Sequence, residues 1–227
     1  VDQLQFYFHP PAGSMYAWLL TRGLVERETH LLLSRLFADE TTRFRFVDVG
    51  AAIGELVLRA GRFDNVIELH AFDPDPNNVD ALLLSGRVNG LRRLTVYPHL
   101  VGRALGEQYA FIANEGTGTS GKIETDDVKS APRVSAIALD AVLSQHTGQD
   151  VWLVDVEGAE VEVLTGAKSL VAAQKPLIVF EFNELSRSRY SLNDVMSCLG
   201  QDYAIYRLRN DGLFDCHTQS ETWNCVA

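Results

Sequence analysis

Apolar residues in this chain fall into short, dense runs separated by stretches with helical spacing. Residues 44–49, 66–72, 94–101, 151–156 and 177–182 are runs of the first kind and predict strands. Residues 55–60, 76–88, 159–173 and 192–199 are of the second kind and predict helices. Strands this apolar are buried on both faces, as the strands of a parallel sheet are. Their alternation with helices predicts right-handed βαβ units and an α/β fold with a doubly wound, mostly parallel sheet.

Three segments depart from that rhythm. Residues 1–43 read as a helical lead-in or cap, amphipathic at Leu31, Leu32, Leu33, Leu36 and Phe37 and broken by Gly23 and the Pro10-Pro11-Ala12-Gly13 turn. The main domain is expected over 44–227. Within it, residues 108–122 predict an extra strand and a glycine-rich loop from Asn114 to Gly121. Two β-like runs around the turn residues Asn210-Asp211-Gly212 predict an antiparallel addition at the C-terminal edge of the sheet.

Composition narrows the classes. With 46% of its residues apolar and aromatics spread along 227 positions, the chain is globular rather than disordered. No run approaches the roughly 20 apolar residues of a membrane span. The first residues lack the basic and then apolar pattern of a signal peptide, so a cytoplasmic location with no membrane partner is expected. A net charge of −10 works against a nucleic-acid partner held by its phosphates. Cys198, Cys216 and Cys225 have no metal-ligand spacing and are expected to be free thiols.

Candidate chemistry gathers at the predicted strand ends, where open α/β sheets bind ligands. Asp48-Val49-Gly50-Ala51-Ala52-Ile53-Gly54 runs from strand through a glycine-bounded turn into a helix. Its glycines suit a tight turn and a close approach, and its N–H groups suit a carboxylate or phosphate. The D-x-G-x-x-x-G spacing differs from the dinucleotide fingerprint, and an ordinary βα turn would also satisfy it. Asp73-Pro74-Asp75-Pro76 ends the second strand: Asp73 is placed as the ligand of ribose hydroxyls, and Asp75 as the cap of the next helix. Asp155 and Glu157 share strand parity, while Glu160 reads as a helix-capping residue. Glu181, bordered by Phe180 and Phe182, is costly to bury without a partner; it belongs to the active centre or pairs with Arg187 or Arg189. Asp140 reads as an N-cap.

In order along the chain, Phe46 to Gly54, Ala71 to Pro76, Ala138-Leu139-Asp140 and Val154-Asp155-Val156-Glu157-Gly158-Ala159-Glu160 resemble the FkbM family of methyltransferases. Val163-Leu164-Thr165-Gly166-Ala167 extends the last match. The resemblance implies a Rossmann-like class I methyltransferase fold with S-adenosylmethionine as donor. It also implies O-methylation of a sugar, glycan or polyketide-type hydroxyl. Carried over, Asp48, Gly50 and Gly54 would line the methionine end, Asp73 the ribose, and Leu100 and Val101 the adenine; Ala52, Pro74 and Asp155 are also expected to bind the cofactor. Leu153 stands where the family usually has lysine.

The reaction needs a base for the hydroxyl proton. Glu157 is the first choice, with Asp155 holding the cofactor and Glu181 orienting a small-molecule or glycan acceptor. No metal is called for, although Asp155, Glu181 and Asn183 loosely resemble the ligands of catechol O-methyltransferase. The loop Asn114 to Gly121 and the part of the lead-in from Val1 to Thr29 are expected to cover the acceptor. Two other classes compete: an NAD-dependent oxidoreductase, which the glycine spacing disfavours, and a non-catalytic nucleoside-binding module, which the acids disfavour.

Overall fold

The computed structural model describes residues 4–7, 26–112, 122–124, 133–216 and 223–227. Helix α1 (Arg27–Phe37) leads into β1 (Phe44–Val49), α2 (Glu55–Ala60), β2 (Val66–Phe72), α3 (Pro76–Val88) and β3 (Leu94–Tyr97). A detour follows through β4 (Leu100–Val101), β5 (Gln108–Ile112), β6 (Lys122–Glu124), β7 (Arg133–Ile137) and the short α4 (Leu139–Val142). The main path resumes with β8 (Gln149–Val154), α5 (Glu160–Thr165), α6 (Lys168–Gln174), β9 (Leu177–Phe182), α7 (Glu184–Arg189) and α8 (Leu192–Leu199). It ends in β10 (Tyr206–Leu208), β11 (Phe214–Cys216) and β12 (Trp223–Val226).

The main sheet runs β11-β10-β12-β9-β8-β1-β2-β3. The five strands from β9 to β3 are parallel, and β12 inserts antiparallel between β9 and β10. Strand order reverses where β1 meets β8, so the ligand crevice opens beyond their carboxyl ends.

Alternation along each strand sorts its side chains into two cores. Val47, Val49, Trp152, Val154, Ile178 and Phe180 face α5, α6 and α8. Phe44, Phe46, Val151, Leu153, Leu177 and Val179 face α1 and α2, whose Leu32, Leu33, Phe37 and Leu56 close that side. At the amino ends, Arg45 and Asp150 sit opposite each other and form a fully buried two-pronged pair at 2.9 and 2.6 Å. His146 Nε2 adds a third contact to Asp150, at 2.6 Å.

Several expectations change here. The third strand stops at Tyr97 because Pro98 has no N–H to continue the ladder; Leu100 and Val101 leave for the second sheet, pairing with Ala136 and Ile137. The helix expected over 159–173 breaks at Gly166, where a Cβ would lie 2.1 Å from the Gly102 carbonyl oxygen of the detour. Asp140 does not cap its own helix. Its carboxylate accepts the N–H groups of Ser169 and Leu170, both at 2.9 Å, and so caps α6. Asp75 caps α3 as expected, accepting from Asn77 N at 2.8 Å with Pro76 in the first turn. Asn114 to Gly121 and residues 1–3 and 8–25 of the lead-in lie outside the described residues.

Candidate active site

The first turn is held from below by two buried acids. Asp48, at the end of β1, accepts the Val57 N–H at the start of α2, since the N-cap itself is Gly54 and has no side chain to do so. Asp73 is fully enclosed. Its Oδ2 accepts the Ala52 N–H at 2.9 Å; its Oδ1 accepts from Asp75 N at 2.9 Å and Asn78 Nδ2 at 3.2 Å. Gly50, Ala52 and Gly54 all have positive φ, at 86°, 48° and 86°. Ala52 therefore adopts a conformation that costs a residue with a Cβ about 1–2 kcal/mol, and the Asp73 bond holds it there.

The glycines serve packing. A Cβ on Gly50 would lie 1.8 Å from the Asp155 carbonyl oxygen, so its absence lets the ends of β1 and β8 meet. A Cβ on Gly54 would lie 2.1 Å from Leu82 Cδ1, so its absence seats α3 against the turn. Four N–H groups of the turn are used inside the protein: Gly50 and Ala51 donate to Phe72 O, Ala52 to Asp73 and Gly54 to Ala51 O.

Asp155, just past β8, and Glu181, near the end of β9, continue the face of Leu153 and Val179 on two neighbouring strands, and their carboxyls share a hydrogen bond. Asn183 Nδ2 donates to Glu181 Oε2 at 2.5 Å, while its Oδ1 accepts Ser186 N at 2.9 Å and caps α7. Asn183 is thus committed to the protein on both sides. Glu181 is held by Asn183 and Asp155. Arg189 instead lies beside Glu157: its side chain crosses Gly158, and its Nη1 is 3.4 Å from the Glu157 carbonyl oxygen.

Strand parity does not extend to Glu157. β8 ends at Val154, and Glu157 has a φ of 54°, a left-handed conformation that non-glycine residues keep only where their surroundings enforce it. Glu160 does not cap its helix as expected: the N-cap is Ala159, without a side-chain bond, and Glu160 Oε1 instead accepts the N–H groups of Val156 at 3.3 Å and Gly158 at 3.2 Å and closes the loop that carries Glu157.

One acid escaped the sequence reading. Glu26, just before α1, accepts from Thr29 Oγ1 at 2.9 Å and Asn224 Nδ2 at 3.2 Å. Asn224 is the cross-strand partner of Glu181, so Glu26 joins the same face. Its only sequence signal was an acid at the start of an amphipathic helix, because its partner lies 198 residues away. Leu100 and Val101 are both buried, Leu100 against Tyr109 and Ala159 and Val101 in the core under α5 and α6.

This crowding raises every carboxyl in the cluster. Burial, then Glu26, pushes Asp48 up to about 8. Burial acting against three hydrogen bonds takes Asp73 up to about 7, and burial takes Glu26 and Glu160 to about 7. Asp155 lies well above the usual carboxylate range, through burial first and Glu181 next. Glu157 is raised by burial and Glu181, with Arg189 opposing.

An acid raised in the folded state contributes stability that is complete below its unfolded value and lost as pH rises through its folded value. The free chain is therefore expected to melt at progressively lower temperature as pH rises from about 4 to about 8, the window between the ordinary and the raised values of Glu26, Asp48, Asp73 and Glu160. Thermal melts across that window check this, and Asp48→Asn should flatten the slope. A melting temperature that climbs with pH would contradict it.

Residues 48–207 match the family model described as the methyltransferase FkbM domain. No curated protein matches the sequence. Among solved structures, the methyltransferase FkbM of Methylobacillus flagellatus KT aligns with a TM-score of 0.55 at 19% identity; the alignment covers 81% of this chain and 43% of that one. The aligned part of this chain thus spans less than half the length of that relative. The precorrin-6y C5,15-methyltransferase of Geobacter metallireducens GS-15 aligns with a TM-score of 0.49 at 10% identity, covering 100% of this chain and 94% of its own. With a doubly wound, mostly parallel sheet of this strand order and a family match over most of its length, the chain belongs to the FkbM methyltransferase family.

Proposed function

We propose that this chain is an S-adenosylmethionine-dependent O-methyltransferase acting on a hydroxyl of a sugar, glycan or polyketide-type natural product. The carrying observation is that Asp155, Glu157 and Glu181 meet at the ends of β8 and β9, beside the Gly50 turn. The cofactor fits this donor set by charge, since its ammonium and sulfonium are positive and the surrounding carboxyls, with Glu26 and Asp48 among them, have raised proton affinity. When bound, it supplies a methyl group on positive sulfur, open to in-line attack by an oxygen.

In this reading Asp155 holds the methionine end, together with Asp48 and the turn from Gly50 through Ala52 to Gly54. Asp73 and Pro74 hold the ribose. Among the described residues Asp73 Oδ2 accepts one bond, from Ala52, so it keeps capacity for one hydroxyl. Leu100 and Val101, being buried, would bound the adenine only through their backbone. Glu157 takes the proton of the acceptor hydroxyl, and Glu181, steadied by Asn183, orients the acceptor.

Calorimetric titration with S-adenosylhomocysteine, followed by a mass-spectrometric screen of sugar and polyketide hydroxyls, tests the proposal. Binding of the product and a gain of one methyl on oxygen support it; methylation confined to nitrogen or carbon would overturn it. Asp73→Ala is expected to weaken S-adenosylhomocysteine binding by about 1–3 kcal/mol through lost hydrogen bonds to buried groups. Unchanged affinity in a folded variant would leave Asp73 with only its turn-holding role.

A further inference from the structure

A second cavity-bearing region lies apart from the acids. Between α1 and the far end of α2, the surface encloses a cavity of about 260 Å³. Its floor is apolar and includes Leu33, Phe37 and Phe63, with the two aromatic rings 5.5 Å apart. Its remaining lining includes the guanidinium side chains of Arg27, Arg59 and Arg62, with no carboxylate among the described lining residues.

That composition runs against the rest of the chain, which has 30 acidic residues and 20 lysines and arginines. Arg59 has a neighbour in Glu55, at 3.7 Å, but Glu55 also binds His30 at 2.7 Å. Among the described residues, Arg27 and Arg62 form no ion pair, and both are exposed. Like charges gathered at one cavity repel one another, and an anion between them relieves that repulsion. Guanidinium forks match carboxylate and phosphate oxygens with two parallel hydrogen bonds, and the apolar floor beneath suits a ring or alkyl body.

We propose that this groove is a binding site for a small organic oxyanion, a carboxylate or phosphate carried on an apolar body. The site is separate from the strand-end acids and does not depend on the methyl-transfer reading. Arg27, at the start of α1, and Arg62, in the turn after α2, grip the oxyanion, and Phe37 and Phe63 receive the body.

Calorimetric titration of the full chain with phenyl phosphate, benzoate and benzyl alcohol tests it. Phenyl phosphate and benzoate are expected to bind saturably and the neutral alcohol not to bind. The double variant Arg27→Ala/Arg62→Ala should weaken both anions by at least about tenfold, the loss of charge-assisted bonds, with an unchanged circular dichroism spectrum. Arg103→Ala, which removes an exposed arginine outside the cavity, should change nothing. Benzyl alcohol binding as well as the anions would make this a plain apolar groove. Anion affinity unchanged in the double variant, or no saturable anion binding up to about 10 mM, would also overturn the proposal.

Discussion

Glu157→Gln is expected to leave S-adenosylhomocysteine binding intact while turnover falls about a hundred- to ten-thousand-fold, the usual share of a general base. The exchange keeps size and hydrogen-bonding shape and removes only the ability to take a proton. All three acids are half-buried, but Asp155 and Glu181 are tied to each other by a shared hydrogen bond and Glu157 is not. Of the three, Glu157 is the acid left to face an acceptor. Its proton affinity is raised, so it accepts a proton more readily than a solvated carboxylate would, and Arg189 beside it limits the rise. Its backbone is held at positive φ, with the Gly158 N–H bonded to Glu160 and the Arg189 side chain lying over Gly158. Single-turnover rates with any acceptor found by the mass-spectrometric screen would measure the loss. Full activity in Glu157→Gln, combined with loss in EDTA and recovery with magnesium, would overturn the assignment in favour of a metal-assisted route.

How much of this was legible in the sequence depended on how local each cause is. β1, α2, β2, α3, β9 and α8 fall at their expected bounds, because each is a run whose periodicity and punctuation lie within itself. The break at Gly166 has its cause in the Gly102 carbonyl, which periodicity does not see. Helix α7 went unread because its segment, Glu-Leu-Ser-Arg-Ser-Arg, is polar on nearly every side; the Asn183 cap starts it. At the site, the acids at strand ends could be named from their positions, whereas their partnerships could not. The sequence leaves Glu181 open to an arginine partner, yet its contacts are Asn183 and Asp155. Glu26 reaches the cluster only through Asn224, at the other end of the chain.

Gly50→Ala is expected to cost at least about 4 kcal/mol, a loss that falls outside the ordinary range for point mutations. Two penalties combine. The residue sits at φ 86°, where a Cβ strains against its own backbone. The added atom would also lie 1.8 Å from the Asp155 carbonyl oxygen, which is main chain and cannot swing aside as a side-chain tip could. Relief requires β8 to draw back from β1, yet the Asp155 N–H is bonded to Val49 O at 2.9 Å across that same junction. The strain would therefore spread into the segment that carries Asp155 and Glu157. Gly90→Ala is the matched control: its φ is 71°, but nothing lies within 4 Å of the added atom. It should cost only the backbone strain, about 1–2 kcal/mol. Urea melts of the two variants isolate the packing contribution as their difference. If Gly50→Ala proved no more damaging than Gly90→Ala, β1 and β8 would not be in close contact at this turn, and the crevice would be wider than described. Because the contact joins fold to site, whatever Gly50→Ala remains folded should also bind S-adenosylhomocysteine more weakly, and Gly90→Ala should bind it normally.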